Sequence, residues 1–278
     1  MVPIRRAAVA GSWYPAQPEA LARDVDRYLN AATDLPEGRP LAIIAPHAGL
    51  MYSGPIAAHA YKLLCGRDIE IAVLVGPSHY VGFDGAAIYD RGAFDTPFGH
   101  ANIAEDCAAA VVKASRLIGP HPTAHAREHS LEMQLPFLKR VLPHAQIVPI
   151  VMGYQWRETA YAVGDAIVEA VRGRKAVLVA STDLSHYHNA PTATRLDRKV
   201  IHHVERFDAD GLMSLLESFP EHACGGGPAV SVMRAAHALG ASDARVLKYG
   251  DSSDVSGDKD AVVGYLAAAF GTFANAGR

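Results

Sequence analysis

The stretch Leu41–Gly54, LAIIAPHAGLMYSG, runs apolar for its first five residues and then breaks at Pro46-His47 and Gly49. A continuous apolar run of this length reads as a strand buried on both faces, the habit of parallel sheets. Two further stretches repeat the design. Ile71–Tyr80, IAVLVGPSHY, ends in Pro77-Ser78-His79, and Ala176–Tyr187, AVLVASTDLSHY, ends in Asp183 and His186. In open α/β sheets the carboxyl edge of the strands is where ligands and catalytic groups gather. The chain is therefore expected to carry histidines along one edge of a buried sheet.

Working outward, helices alternate with these strands. Leu21, Val25, Tyr28 and Leu29 recur at helical spacing between Pro18 and Ala32, which predicts an amphipathic helix. Pro55 is expected near a helix start, with the helix running from Ile56 to Leu64. Phe83–Gly99 reads as short, hairpin-prone strands, and Ala101–Ser115 as a helix with Cys107 a small hydrophobe on its apolar stripe. The polar cluster His121–Ser130 opens into LEMQLPFLKRVL, where Ser130 or a residue just before it can cap a helix that turns Leu131, Leu135 and Leu138 inward. Gln146–Met152 is a strand, Arg157–Arg172 a helix, Asp208–Phe219 a helix with an aspartate cap, Pro228–Leu239 a helix, and Arg245–Tyr249 a strand. No linker divides the chain, so residues 1–278 are expected to form one α/β domain.

Composition narrows the function classes. The formal charge is −3 over 278 residues and no run of like charge stands out, so nothing electrostatic recommends nucleic acid or an anionic membrane. No apolar stretch approaches the roughly 18 residues of a membrane span, and MVPIRRAAVAGSWYP is too weakly apolar for a secretory signal. A cytoplasmic protein is expected, and its three cysteines, Cys65, Cys107 and Cys224, are expected to be reduced.

The chemistry rests on which polar groups can meet. His47 and His79 both follow buried strands and can present neutral imidazole nitrogens from one sheet edge. Taken singly, each is as readily a structural hydrogen-bonding residue. Cys224 precedes Gly225-Gly226-Gly227-Pro228, a setting that permits close backbone approach beside a helix N-terminus able to stabilise a thiolate; an incidental loop cysteine is the plain alternative. Two imidazoles and a thiolate would form an open three-ligand site suited to iron, copper or zinc. Asp183 and His186 are candidate catalytic groups, since histidine moves protons near neutrality, or else a turn cap and its partner. Glu128 and His129 can hold a ligand histidine from outside or mark a solvated helix start.

Read together, GSWYP at Gly11–Pro15, APHAGLMYSG at Ala45–Gly54, GPSHY at Gly76–Tyr80, EHSLEMQLPFL at Glu128–Leu138, STDLSHY at Ser181–Tyr187 and ACGGGP at Ala223–Pro228 resemble the Memo family, called AmmeMemoRadiSam system protein B in bacteria and archaea. The resemblance runs from about Arg5 to Phe270. It implies a fold like the class III extradiol ring-cleaving dioxygenases: a central mixed, largely parallel sheet flanked by helices. It also implies His47, His79 and Cys224 as metal ligands, iron foremost with copper or zinc as alternatives, and Asp183 and His186 beside them, His186 matching the acid–base histidine of those dioxygenases. Their third ligand is a carboxylate. A thiolate in its place donates more charge and is itself oxidisable, so ring cleavage is not implied. The resemblance points instead to a redox or oxygen-related non-heme metalloenzyme, or to a non-catalytic module holding a small molecule, peptide or partner in the same cleft. The family name implies a pathway shared with a radical S-adenosylmethionine protein and an AMMECR1-like protein.

Overall fold

The computed structural model describes residues 3–274; residues 1–2 and 275–278 of the expected domain lie outside them. The strands are β1 (Ile4–Arg5), β2 (Gly38–Ala45), β3 (Ile71–Pro77), β4 (Ala86–Ile88), β5 (Ala93–Phe94), β6 (Ala101–Asn102), β7 (Ile118–Pro120), β8 (Gln146–Met152), β9 (Ala176–Ser181), β10 (His186–His188), β11 (Asp243–Asp251) and β12 (Val262–Phe273). The helices are α1 (Pro18–Ala31), α2 (Leu50–Lys62), α3 (Glu105–Ala114), α4 (Pro122–Ala126), α5 (Leu135–Val141), α6 (Arg157–Val171), α7 (Ala190–Glu205), α8 (Ala209–Ser218), α9 (Gly226–Ala238) and α10 (Ser253–Ser256). None is long and apolar enough to cross a membrane among the described residues.

The main sheet is mixed, in the order β10-β12-β2-β9-β3-β8-β4-β7, with β11 also on β12. Its centre, β2-β9-β3-β8, is parallel, while β12 runs antiparallel to β2, β10 and β11. Every residue of β3 is buried, so helices cover both faces of the parallel centre. The apolar runs of the sequence thus lie side by side, and the carboxyl ends of β2, β9 and β3, which lead into Pro46-His47, Thr182-Asp183 and Ser78-His79, share one edge.

Several boundaries differ from the sequence reading. β2 starts at Gly38, before its apolar run, because Gly38–Pro40 pair with the end of β12, and backbone pairing needs no apolar side chain. The helix after His47 starts at Leu50, with Pro55 inside it. Its first turn is fixed from outside: Leu50 N–H donates to the Trp13 carbonyl at 2.9 Å and the Ser53 hydroxyl to the Ala48 carbonyl at 2.8 Å. Pro55 forfeits one bond, to the carbonyl of the exposed Met51. Ala101 belongs to β6, paired with β5, so α3 begins only at Glu105. No continuous helix extends from Ser130, because the Glu128 carboxylate takes the N–H groups of His129 and Ser130 at 2.9 and 2.8 Å and holds a turn there; a 3-10 turn, Glu132–Gln134, then leads into α5. Cys107 is buried, and all three cysteines are free.

The N-terminal arm is more than packing. Arg5, 5% exposed, enters between elements and pairs with the fully buried Glu132, while its guanidinium also donates to the His125 and Glu128 carbonyls. The Glu132 carboxylate further accepts Ala8 N–H at 2.8 Å, Val9 N–H at 2.9 Å and the Tyr14 hydroxyl at 2.7 Å. A carboxylate so enclosed is fully satisfied only while Arg5 is present. Removing one partner of such a pair strands the other charge, so Arg5→Met should destabilise the chain by about 3–5 kcal/mol in urea unfolding. Arg5→Met with Glu132→Gln should recover part of that loss; equal stability of the single and double variants would contradict this account.

Candidate metal centre

The chain leaving β9 crosses the end of β2 before joining β10. Thr182 N–H donates to the Ala45 carbonyl at 3.1 Å, and the Asp183 carboxylate accepts His47 N–H at 2.7 Å. Leu184 N–H then reaches the Gly264 carbonyl of β12 at 2.8 Å. The segment before α9 closes on the same crossing, with Cys224 N–H on the Asp183 carbonyl at 3.2 Å and Gly225 N–H on the Thr182 hydroxyl at 2.9 Å. A Cβ at residue 225 would lie 2.2 Å from the Ser181 carbonyl oxygen, so only glycine lets this segment approach. His47 and Cys224, 177 positions apart, are joined through Asp183, whose carboxylate takes one backbone N–H and whose carbonyl takes the other.

The protonation of the ligand nitrogens is set by their neighbours. The Ser181 hydroxyl has one proton and lies 2.7 Å from the Ser130 carbonyl, which can only accept. Its oxygen therefore accepts from Gln134 Nε2 at 2.7 Å and from His47 Nδ1 at 2.9 Å. Gln134 is oriented in turn by the Pro46 carbonyl and the Tyr61 hydroxyl. His47 thus carries its proton on Nδ1 and presents a lone pair at Nε2, 3.3 Å from Cys224 Sγ. Burial, then the neighbouring His79, hold its pKa well below the ordinary histidine value, so it is neutral. His79 Nδ1 lies 2.8 Å from Glu128 Oε1, which leaves Nε2 of this ring, too, as the lone pair.

Donor atoms of His47, His79 and Cys224 all lie within 4.8 Å of one another. Bonds of about 2.0–2.3 Å to one tetrahedral ion put neighbouring N and S ligands roughly 3.5 Å apart. Two aligned imidazole lone pairs and a sulfur fit a transition metal, and each imidazole has the outer hydrogen bond that fixes such ligands.

The thiol departs from the sequence reading. Burial, then the Asp183 charge, raise the Cys224 pKa. The start of α9 does not favour a thiolate because its N–H groups serve others: Gly225 serves Thr182, and Gly227 serves Gln155 Oε1 at 2.7 Å. Among the described residues the backbone N–H on the sulfur is that of Asp183, at 3.3 Å. A bound cation would supply the missing counter-charge.

Glu128 accepts from His79 N–H at 2.6 Å as well as from His79 Nδ1 and the N–H groups of His129 and Ser130. Burial alone would raise its carboxyl; the bonds from His79 and Ser130 outweigh it and lower the pKa to about 2. His129 packs between Trp13, tilted at 53° with centroids 4.3 Å apart, and His79, stacked at 4.4 Å, and burial with the nearby His47 and His79 lowers it to about 4. Asp183 spends one oxygen on the backbone of His47, and burial raises its carboxyl. His186 opens β10 with its ring 5.7 Å from that of the exposed Tyr187, and no hydrogen bond joins it to Asp183 among the described residues. Ser181, Gln134 and Gln155, which reaches the Cys224 carbonyl at 2.7 Å, have no local signal in the sequence as organisers of the centre. Neither has Asp197 of α7, which fixes the loop between Asp183 and His186 by accepting Ser185 N–H at 2.9 Å and the Tyr249 hydroxyl at 2.8 Å.

Fold and site together define an α/β protein with an open His/His/Cys cluster at a sheet edge. The family model described as "Memo-like protein" matches residues 5–269. A MEMO1 family protein of Methanopyrus kandleri is 40% identical, covering 96% of this chain and 98% of its own. MEMO1 family proteins of Methanothermobacter thermautotrophicus and Methanosarcina mazei are each 39% identical, covering 94% and 95% of this chain and 98% of their own. The chain belongs to the Memo family, whose fold is similar to that of class III extradiol dioxygenases.

Two substitutions test the loops that build the centre. Gly225→Ala should shift Cys224, lowering stability by about 1–3 kcal/mol and weakening metal binding in a titration; unaltered metal affinity would contradict the close-approach argument. Burial raises the Asp197 carboxyl, so the folded state favours its protonated form, and the contribution of this group to stability is lost as pH rises through the folded value. Asp197→Asn should therefore gain stability relative to the native chain in urea unfolding as pH rises above the ordinary carboxylate range, whereas a pH-independent difference would contradict it.

Proposed function

We propose that the chain is a metal-dependent enzyme that holds a transition ion, iron foremost with copper or zinc as alternatives, between His47, His79 and Cys224, in redox or oxygen-related chemistry on a small substrate. The convergence of two imidazole lone pairs on Cys224 Sγ carries this reading. A bound iron or copper ion would supply one-electron chemistry and open positions for oxygen or substrate. Ser181 and Glu128 orient the imidazoles. Asp183 fixes the backbone of His47 and Ala48 and shapes the floor of the site. His186, half-buried on the neighbouring strand, is the group assigned to move a proton to or from substrate through its imidazole. A reducing cytosol would keep Cys224 available as a ligand.

A second reading, a non-catalytic module for a peptide, draws on the rim. Tyr80 is 50% exposed with Arg127 stacked at 5.3 Å, and Tyr187 is 77% exposed in a left-handed conformation at φ 61°. An aromatic and basic rim suits an acidic or phosphorylated peptide. A pathway shared with a radical S-adenosylmethionine protein and an AMMECR1-like protein fits either reading.

Anaerobic purification with elemental analysis should find stoichiometric transition metal. Cys224→Ala and His79→Ala should each lose it, and His186→Ala should keep the metal while losing oxygen or substrate turnover. Metal-free native protein, or metal retained without Cys224, would sink the enzyme reading. Peptide capture that survives loss of both His47 and His79 would favour the module.

A further inference from the structure

We propose that a cavity beside the His/His/Cys cluster binds an uncharged aromatic ring system. It measures about 580 Å³ and lies between the loop after β8, helix α8 and the start of α9. Sites for small organic molecules span roughly 300–1,000 Å³ and are mainly apolar with few polar groups. Tyr154, Trp156, Met213, Leu216 and Pro220 line it together with Cys224. The cavity therefore shares one residue with the cluster.

The polarity of the lining selects the occupant. Gln155 lies in the wall, but its amide is committed at both ends, Nε2 to the Cys224 carbonyl and Oε1 to Gly227 N–H, each at 2.7 Å. Glu217 is held by the Arg157 guanidinium in two bonds of 2.8 and 2.6 Å. A charged ligand would find no uncommitted charge there and would lose its hydration without replacement.

The aromatic wall is preformed. Trp156 is 60% and Tyr154 53% exposed, unusual for residues of this size. Trp156 is nevertheless held, its indole N–H donating to Asp84 at 3.3 Å, and the Tyr154 ring stands 6.1 Å from it at 38°. Rings held in this way offer faces for stacking at little entropic cost. Backbone contacts support the wall from beneath, Gly153 N–H on the Gly85 carbonyl at 3.0 Å and Tyr154 N–H on the Phe83 carbonyl at 2.8 Å. The inference does not depend on a metal being bound, since none of these contacts involves His47 or His79.

The probe is N-phenyl-1-naphthylamine, an uncharged aromatic dye that brightens in apolar surroundings, titrated into the full chain. Saturable binding at one site is expected. Trp156→Ala, an exposed position that the fold tolerates, should weaken it about five-fold, and Met213→Trp, which fills the cavity, should abolish it. His79→Ala, at a partly exposed position outside the cavity lining, should bind the dye as the native chain does. Non-saturable binding, affinity unaltered by both cavity substitutions, loss of binding in His79→Ala, or equal affinity for naphthalenesulfonate would each overturn the proposal. Metal content measured on the same preparations reports separately on the metal-dependent reading.

Discussion

The one proton of the Ser181 hydroxyl settles more of this molecule than any other atom. Because it goes to the Ser130 carbonyl, the oxygen is left to accept from Gln134 and from His47. That choice puts the His47 proton on Nδ1 and turns its lone pair towards Cys224. It also ties the end of β9 to the turn before the 3-10 segment and, through Gln134, to Pro46 at the end of β2 and to Tyr61 of α2. Three segments distant in sequence are held in register by one small side chain. Buried networks of this kind are rigid when complete and damaging when one member is missing.

The same economy appears around Glu128 and Glu132, four residues apart and both buried. Glu132 gathers the N-terminal arm: Arg5, the backbone of Ala8 and Val9, and the Tyr14 hydroxyl. Glu128 gathers the loop after β3 through both the backbone and the ring of His79. Arg5 links the two by also donating to the Glu128 carbonyl. The arm thus braces the segment that orients a candidate ligand, and Trp13, packed against His129 and accepting Leu50 N–H at its carbonyl, extends the brace to the helix just after His47.

The cluster is soft on one side and firmly set on the other. His47 is neutral by burial, and a fixed hydrogen bond at Nδ1 of each imidazole turns its Nε2 towards the cluster without reorganisation. The thiol is held in its neutral form by burial and by Asp183. Charge enters such a site with a cation, so the proton on sulfur is the one that metal binding must displace. The glycines before α9 serve approach rather than ionisation, since their N–H groups are spent on Thr182 and Gln155.

Sequence by itself was enough for the sheet and for most of the cluster's members. Continuous apolar runs are best satisfied inside a doubly covered sheet, and a polar break after each run falls at its edge; Leu41–Ala45, Ile71–Gly76 and Ala176–Ala180 therefore announced the buried strands and placed His47, His79 and Asp183 along one edge, while leaving open what those residues do there. The motifs around them carried the family. Tertiary structure alone decided which groups meet, because tautomer and charge depend on partners that no local pattern marks. Ser181 and Gln134 are ordinary buried polar residues until their hydrogen bonds are traced, and Asp197 lies a helix away from the loop it fixes. Pro55 sits within α2, and it is Trp13 of the N-terminal arm that accepts the first-turn N–H of Leu50. The Cys224 thiol is the sharpest case: its neighbours in sequence promised a stabilised thiolate, and the packing of Gly225 and Gly227 against Thr182 and Gln155 took those N–H groups away.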